Sequence, residues 1–109
     1  MAAGLATLLA ELEAYRFHQE DIHYLQQLNL FDANFLEALR RLRFTGDIHA
    51  LPEGTLFFPD EPILEISAPL IEAQLIETLV LNTIGVATLI ATKAARCVHA
   101  ATGRPLVDF

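Results

Sequence analysis

The sequence has no tryptophan, one cysteine and one methionine, and only seven Lys and Arg against fourteen Asp and Glu. The single cysteine, Cys97, excludes an internal disulfide and fits a reducing compartment. A net charge of −7 and a pI near 4.9 leave no basic surface from which counterion release could drive sequence-independent binding to nucleic acid. The opening stretch, MAAGLATLLAELEAY, has no positive leading region, and Glu11 and Glu13 interrupt its apolar residues, so it does not read as a signal peptide. Long hydrophobic runs are scarce as well. The longest, Thr78 to Thr92, contains Asn82 and Gly85 and falls short of the ~20 residues of a membrane span. Internal repeats and low-complexity segments are absent. Together these absences predict a soluble, cytoplasmic protein that partners neither nucleic acid nor membrane.

What is present is a packed-domain composition: 109 residues, 53% hydrophobic and 19% charged, enough for one domain with a modest core. Leu5, Leu8, Leu9, Leu12 and Tyr15 recur at helical spacing. Ile22, Leu25 and Leu28 repeat the pattern behind Glu20 and Asp21, anions suited to a first helical turn. Asp32 is positioned to cap a third helix with Phe35, Leu36, Leu39 and Leu42 on one face and Arg40, Arg41 and Arg43 at its end. Three short helices therefore form a helical layer over residues 1–44. Residues 45–69 change texture. Turn signals at Pro52-Glu53-Gly54 and Pro59-Asp60-Glu61-Pro62 separate β-forming runs at Asp47–Leu51, Thr55–Phe58 and Ile63–Ser67, which predicts a small, mostly antiparallel sheet. Residues 70–103 return to a helical period. Pro69 is at the start, Gly85 is a break or kink, Gly103 is a C′ residue, and the apolar residues are too many for one stripe. A strand opens at Leu106, within residues 104–109. The fold class is α+β.

No catalytic or metal-binding constellation stands out. His18, Glu20, Asp21 and His23 crowd together, but the two histidines are five apart and do not share a helical face at i, i+4, so a solvated helix start is the better reading. Cys97 and His99 lie two apart on a helix and point different ways, which denies them the hydrogen-bond reach of a nucleophile–base pair. Lys93 and Arg96 share a face and could receive an anion, although a structural ion pair or a dipole role is the plainer reading. The turn FFPDEPI is similar to the hairpins of biotinyl and lipoyl carriers, yet Asp60 and Glu61 stand where an attachment lysine would be.

Taken in order, FTGD, PEGT, FPDEP and ATKAAR carry a resemblance to nicotinate phosphoribosyltransferases. FTGDIHALPEGTLFFPDEPILEISAPLIEAQLIETLVLN resembles that family's passage from a small β-subdomain into its long central helix. LIATKAARCVHAATGRPLVDF resembles the helix and first barrel strand that follow, and YRFHQEDIHYLQQLNLFDANFLEALRRLRFTGD resembles the helical segment upstream. The match runs from Gly4 to Phe109. In the family the strand continues after Asp/Glu-Phe as Gly-x-Arg-Arg, and a T-D-x-Y-x-x-T-M motif stands near the N-terminus. Neither is in this sequence, nor is the family's phosphorylated histidine. The chain is therefore expected to be a piece of the enzyme, ending in the first strand of an α/β barrel and inactive by itself. His18, His23, His49 and His99 match no catalytic position of the family.

The resemblance implies a type II phosphoribosyltransferase, a homodimer that joins nicotinate to phosphoribosyl pyrophosphate in NAD salvage. The whole enzyme couples this to ATP hydrolysis and needs magnesium, so it is both glycosyltransferase and ligase in kind. The one site residue the resemblance carries onto this chain is Phe109, whose ring would stack on the substrate's pyridine. Asp108 replaces the Glu usual in bacterial members and is also found in nicotinamide-using relatives, which leaves the base open. The rival reading is a freestanding oligomerisation or protein-interaction module derived from the same domain.

Overall fold

A computed structural model describes residues 1–107. The elements are α1 (Leu5–Ala14), α2 (Gln19–Gln27), α3 (Ala33–Arg41), β1 (Asp47–Ala50), β2 (Leu64–Ser67) and α4 (Leu70–Ala101), an α+β arrangement. Its long axis is 60 Å and its radius of gyration 18.4 Å, against roughly 13 Å for a compact domain of this length. The elongation comes from α4, whose 32 residues span about 48 Å at the helical rise.

Two small cores form. In the first, Leu8 and Leu12 of α1 pack on Ile76 of α4, with Ile48, Leu64 and Ile66 of the sheet covering one side. The alternation of the strands places these apolar residues inward, while His49 and Glu65, opposite each other in the register, stay exposed. In the second, Ile22 of α2 meets Leu36 and Leu39 of α3, with Phe17 and Leu75 at its edge. The expected single layer of three helices is thus split. α1 leaves α2 and α3 for α4, because Leu8 and Leu12 bury more completely against Ile76, at 0% and 3% exposure. Tyr15 bridges the two parts, its hydroxyl donating to the Leu75 carbonyl at 3.4 Å.

Local chemistry sets the boundaries. The Asp32 carboxylate accepts from the Phe35 amide at 2.8 Å, the N-cap bond its position predicts. The Asp21 carboxylate accepts from the His18 amide at 2.7 Å. Glu37 pairs with both Arg40 and Arg41. α1 has no cap of its own side chains. Glu53, from the turn after β1, reaches over to accept from the amides of Gly4 and Ala6, both at 3.1 Å. Gly4 has φ +98°, and a Cβ there would sit 2.9 Å from the Ala87 methyl, so only glycine lets α1 start this close to α4. α4 begins one residue after Pro69, ends through Thr102 and Gly103 in left-handed conformations, and passes Gly85 without the expected break.

Three further sequence expectations differ from the structure. Thr55–Phe58 is not a strand; among the described residues the sheet has two strands. Its backbone pairs instead with Ala2, which donates to the Thr55 carbonyl at 2.9 Å and accepts from the Gly54 amide at 2.8 Å. With Leu56 and Phe58 largely exposed, no layer lies on that run to fix a strand's alternation. Residues 104–107 form no strand among the described residues, since no neighbouring strand offers them a ladder; the remainder of that expected strand, Asp108 and Phe109, lies outside the described residues. Finally, the apolar stretch judged too short for a membrane span belongs to a 32-residue helix with an 18-residue window of mean hydropathy 1.7. By length and composition alone, α4 could cross a membrane.

Candidate functional site

The residues that sequence reasoning weighed for chemistry fall at two ends of the molecule. His18, Glu20, Asp21 and His23 surround the start of α2, all exposed. Asp21 is engaged by the His18 amide, and the His23 ring is hydrogen-bonded to the Gln27 amide nitrogen at 3.0 Å. No group of three or more His, Cys, Asp or Glu side chains converges on one point among the described residues. His23 and Arg40 do line a shallow cleft of about 350 Å³ between α2 and α3, polar along Gln19, Gln26 and Gln27.

At the other end, Lys93, Arg96, Cys97 and His99 stand on the last turns of α4, every one exposed. Of the ion-pair or dipole role read for Lys93 and Arg96, the ion pair is not formed among the described residues, where ion pairs involve only Glu37, Arg40 and Arg41. Cys97 is a free, exposed thiol. After the helix ends, the chain folds back so that Leu106 and Val107 face Ile90, Ala94 and Val98 across a cleft of about 450 Å³, with Lys93 and Cys97 also on its wall. This cleft escaped the sequence reading. Its signal was available in Ile90, Ala94 and Val98 at successive four-residue steps, followed three residues after a helix-ending glycine by an apolar Leu-Val pair.

What the cleft can do chemically follows from its lining. Its wall is mostly aliphatic, so it suits a flat or apolar group, and one cation stands beside it. Among the described residues no polar or charged side chain is buried. Phe109, the predicted substrate-stacking residue, lies outside the described residues, two positions beyond Val107.

Comparison with known proteins agrees along the whole chain. The family described as nicotinate phosphoribosyltransferase (NAPRTase) N-terminal domain matches residues 1–85. The chain is 55% identical over all 109 residues to a Mycobacterium tuberculosis protein named nicotinate phosphoribosyltransferase pncB2 and covers 24% of it. It is 49% identical over 94 residues to the Bacillus subtilis nicotinate phosphoribosyltransferase, 86% of this chain and 19% of that one. Against the Homo sapiens protein of the same name it is 40% identical over 99 residues, 88% of this chain and 18% of the relative. The chain thus spans about a quarter or less of the length of the curated relatives it matches.

Proposed function

The chain belongs to the nicotinate phosphoribosyltransferase family, and from that premise we propose that it forms the start of an enzyme joining nicotinate to phosphoribosyl pyrophosphate. The products are nicotinate mononucleotide and pyrophosphate, the reaction is coupled to ATP hydrolysis, and it serves NAD salvage in the cytoplasm as a homodimer. The observation that carries the reading is the 55% identity sustained across every residue of the chain.

In this reading the chain supplies scaffold and one wall of the base site, and it does not catalyse by itself. Phosphoribosyl transfer needs cations placed around charged oxygens, and Lys93 and Arg96 are the only Lys or Arg residues on α4. Magnesium and ATP are implied for the whole enzyme. The described residues offer no converging set of oxygen or nitrogen ligands, so no step through either group is assigned to this chain. Phe109 is the residue proposed to meet substrate. An aromatic face offset against an electron-poor pyridine contributes about 0.5–1.5 kcal/mol beyond buried area. The apolar cleft ending at Val107 supports a ring-binding wall on this side.

The test joins this chain to the remaining length of the Mycobacterium tuberculosis relative. The chain alone, given nicotinate, phosphoribosyl pyrophosphate, ATP and magnesium, should form no mononucleotide, and the chimera should form it. Phe109→Ala in the chimera should raise KM for nicotinate while leaving that for phosphoribosyl pyrophosphate near its starting value. Turnover by the chain alone would refute the scaffold role. A folded, inactive chimera would refute the enzyme assignment, and an unchanged KM would reduce Phe109 to a packing residue. Running the chimera with nicotinamide in place of nicotinate decides the base that Asp108 leaves open.

A further inference from the structure

Residues 1–6, which run into the first turn of α1, are held from two sides. One side is the turn after β1. Ala2 exchanges two backbone hydrogen bonds with it, through the Thr55 carbonyl and the Gly54 amide, and the Glu53 carboxylate accepts from Gly4 and Ala6. The other side is α4. The Thr88 hydroxyl accepts from the Ala3 amide and donates to the Ala3 carbonyl, both at 3.3 Å, so one side chain satisfies both backbone groups of one residue. The Met1 nitrogen donates to the Thr92 hydroxyl at 2.9 Å. That hydroxyl gives its own proton to the Thr88 carbonyl at 2.7 Å, which leaves it free to accept. Burial on α4 follows these contacts. Ile84, Ala87, Thr88, Ala91 and Thr92 form a half-buried stripe at helical spacing, and Gly4 lies against Ala87 within it. From Lys93 to Ala100 every residue is exposed.

We propose that residues 1–6 are a strap that docks and releases as one unit, coupling the turn at Glu53–Thr55 to α4 at Thr88–Thr92. The unity comes from how the contacts alternate along the chain. Ala2 is bonded to the turn, Ala3 to α4 and Gly4 to the turn again. Consecutive Cα atoms are only about 3.8 Å apart, so none of these residues leaves its partner without pulling its neighbour from the opposite side. The attachments are individually weak. The Glu53 bonds are solvent-exposed, and such bonds contribute little each. Docking therefore depends on their sum, the condition for a segment that opens locally while the core stays closed. Docked, the strap covers the stripe on α4 and fixes the base of the arm that carries Ile90, Lys93 and the apolar cleft. Released, it removes the last packing before that arm. The turn after β1 is thereby linked to the cleft wall. The strap does not rest on the activity proposed above, since it is drawn from contacts within the chain.

Residue-resolved amide hydrogen exchange on the 109-residue chain tests it. Among the described residues Glu53 makes no hydrogen bond to α4, and Thr88 makes none to the turn. Even so, Glu53→Ala should speed exchange of the Thr92 amide, and Thr88→Val that of the Gly54 amide, each about fivefold or more, because coupling between two sites runs both ways. Gly4→Ala drives a methyl group to 2.9 Å from that of Ala87 and should speed both amides at once. The amides of Leu12 and Ile76, in the core beneath, should keep their protection, which also shows that each variant is folded. If Gly4→Ala does not fold, the other two changes decide. Faster exchange confined to Gly4 and Ala6 in Glu53→Ala, or to α4 in Thr88→Val, would overturn the proposal, as would no change in either. Loss of protection at Leu12 and Ile76 in Glu53→Ala or Thr88→Val would overturn it too, because the strap would then open only with the core.

Discussion

The two halves of α4 are one helix built on different physics. The first half holds the helix's one fully buried side chain, Ile76, and takes packing from α1, the sheet and Tyr15. Its sequence around TLVLNTIGVATLI is rich in β-branched residues, which are mediocre helix formers left to themselves. The last turns, ATKAARCVHAA, are dominated by alanine with Lys and Arg among them, the strongest helix formers. Every residue from 93 to 100 is exposed there. Tertiary burial imposes helix on the first half, whereas intrinsic propensity carries the second. A long helix can thus leave the body that nucleates it, provided its composition changes where the packing stops.

Removing the packing should have the largest effect. Ile76 is 1% exposed and stands between Leu8, Leu12 and the sheet. Ile76→Ala is expected to cost about 2–5 kcal/mol through lost burial and the cavity left behind, much of the total stability of a small domain. Val98→Ala, on the exposed half at 63%, should stay within about 0.5 kcal/mol. Denaturant unfolding followed by far-ultraviolet circular dichroism compares the two. If they shift the midpoint equally, the division of α4 into packed and self-supporting halves is wrong.

The same division explains how much could be read from the sequence. Features fixed within a few residues were legible: the Asp32 cap, the acidic first turn of α2 and the glycine end of α4. Each rests on a local bond or a short period. Features decided by distant partners were not. Thr55–Phe58 has the composition of a strand, but Ala2 takes its first carbonyl and Leu56 and Phe58 stay largely exposed. α1 has the stripe of a bundle helix, yet which neighbour it joins was settled by Ile76, more than sixty residues away. The run from Thr78 to Thr92 understated how apolar α4 is, because Leu70, Ile71, Leu75 and Ile76 of the same helix stand outside it. For the candidate site, the family motifs led to Phe109, which lies outside the described residues; the spacing of Ile90, Ala94 and Val98 marked one wall of the cleft, but no local pattern specifies the chain reversal that sets Leu106 and Val107 opposite it.

A smaller, local effect is expected in the self-supporting half. Ala95 is exposed on α4, so replacing it with glycine removes helix propensity and little else, about 1 kcal/mol. Ala95→Gly should speed amide hydrogen exchange over residues 93–101 and leave the global unfolding midpoint close to its starting value, since local opening there is independent of the core. Protection lost equally in α1 would mean that the two halves unfold as one unit.

The least effect, and the finest test, lies at the seam between the halves. Thr83 donates its hydroxyl to the Glu11 carboxylate at 2.8 Å, tying the end of α1 to the middle of α4. Valine keeps the branched shape of threonine and deletes only the donor. The bond is solvent-exposed, and water can replace the lost donor on Glu11, so Thr83→Val should cost no more than about 0.5–1 kcal/mol. Glu11→Gln keeps an acceptor but removes the charge and should cost less still. The informative readout is the double variant. If the hydroxyl–carboxylate bond is the whole connection, Thr83→Val combined with Glu11→Gln should be no worse than Thr83→Val alone, because the second change then removes a partner already lost. Fully additive costs would mean that each side chain acts separately, and that α1 is held to α4 through the apolar packing of Leu8 and Leu12 on Ile76 and its neighbours Leu79, Val80 and Ile84. The packed half of the helix would then be defined by burial alone, with no polar seam marking where it ends.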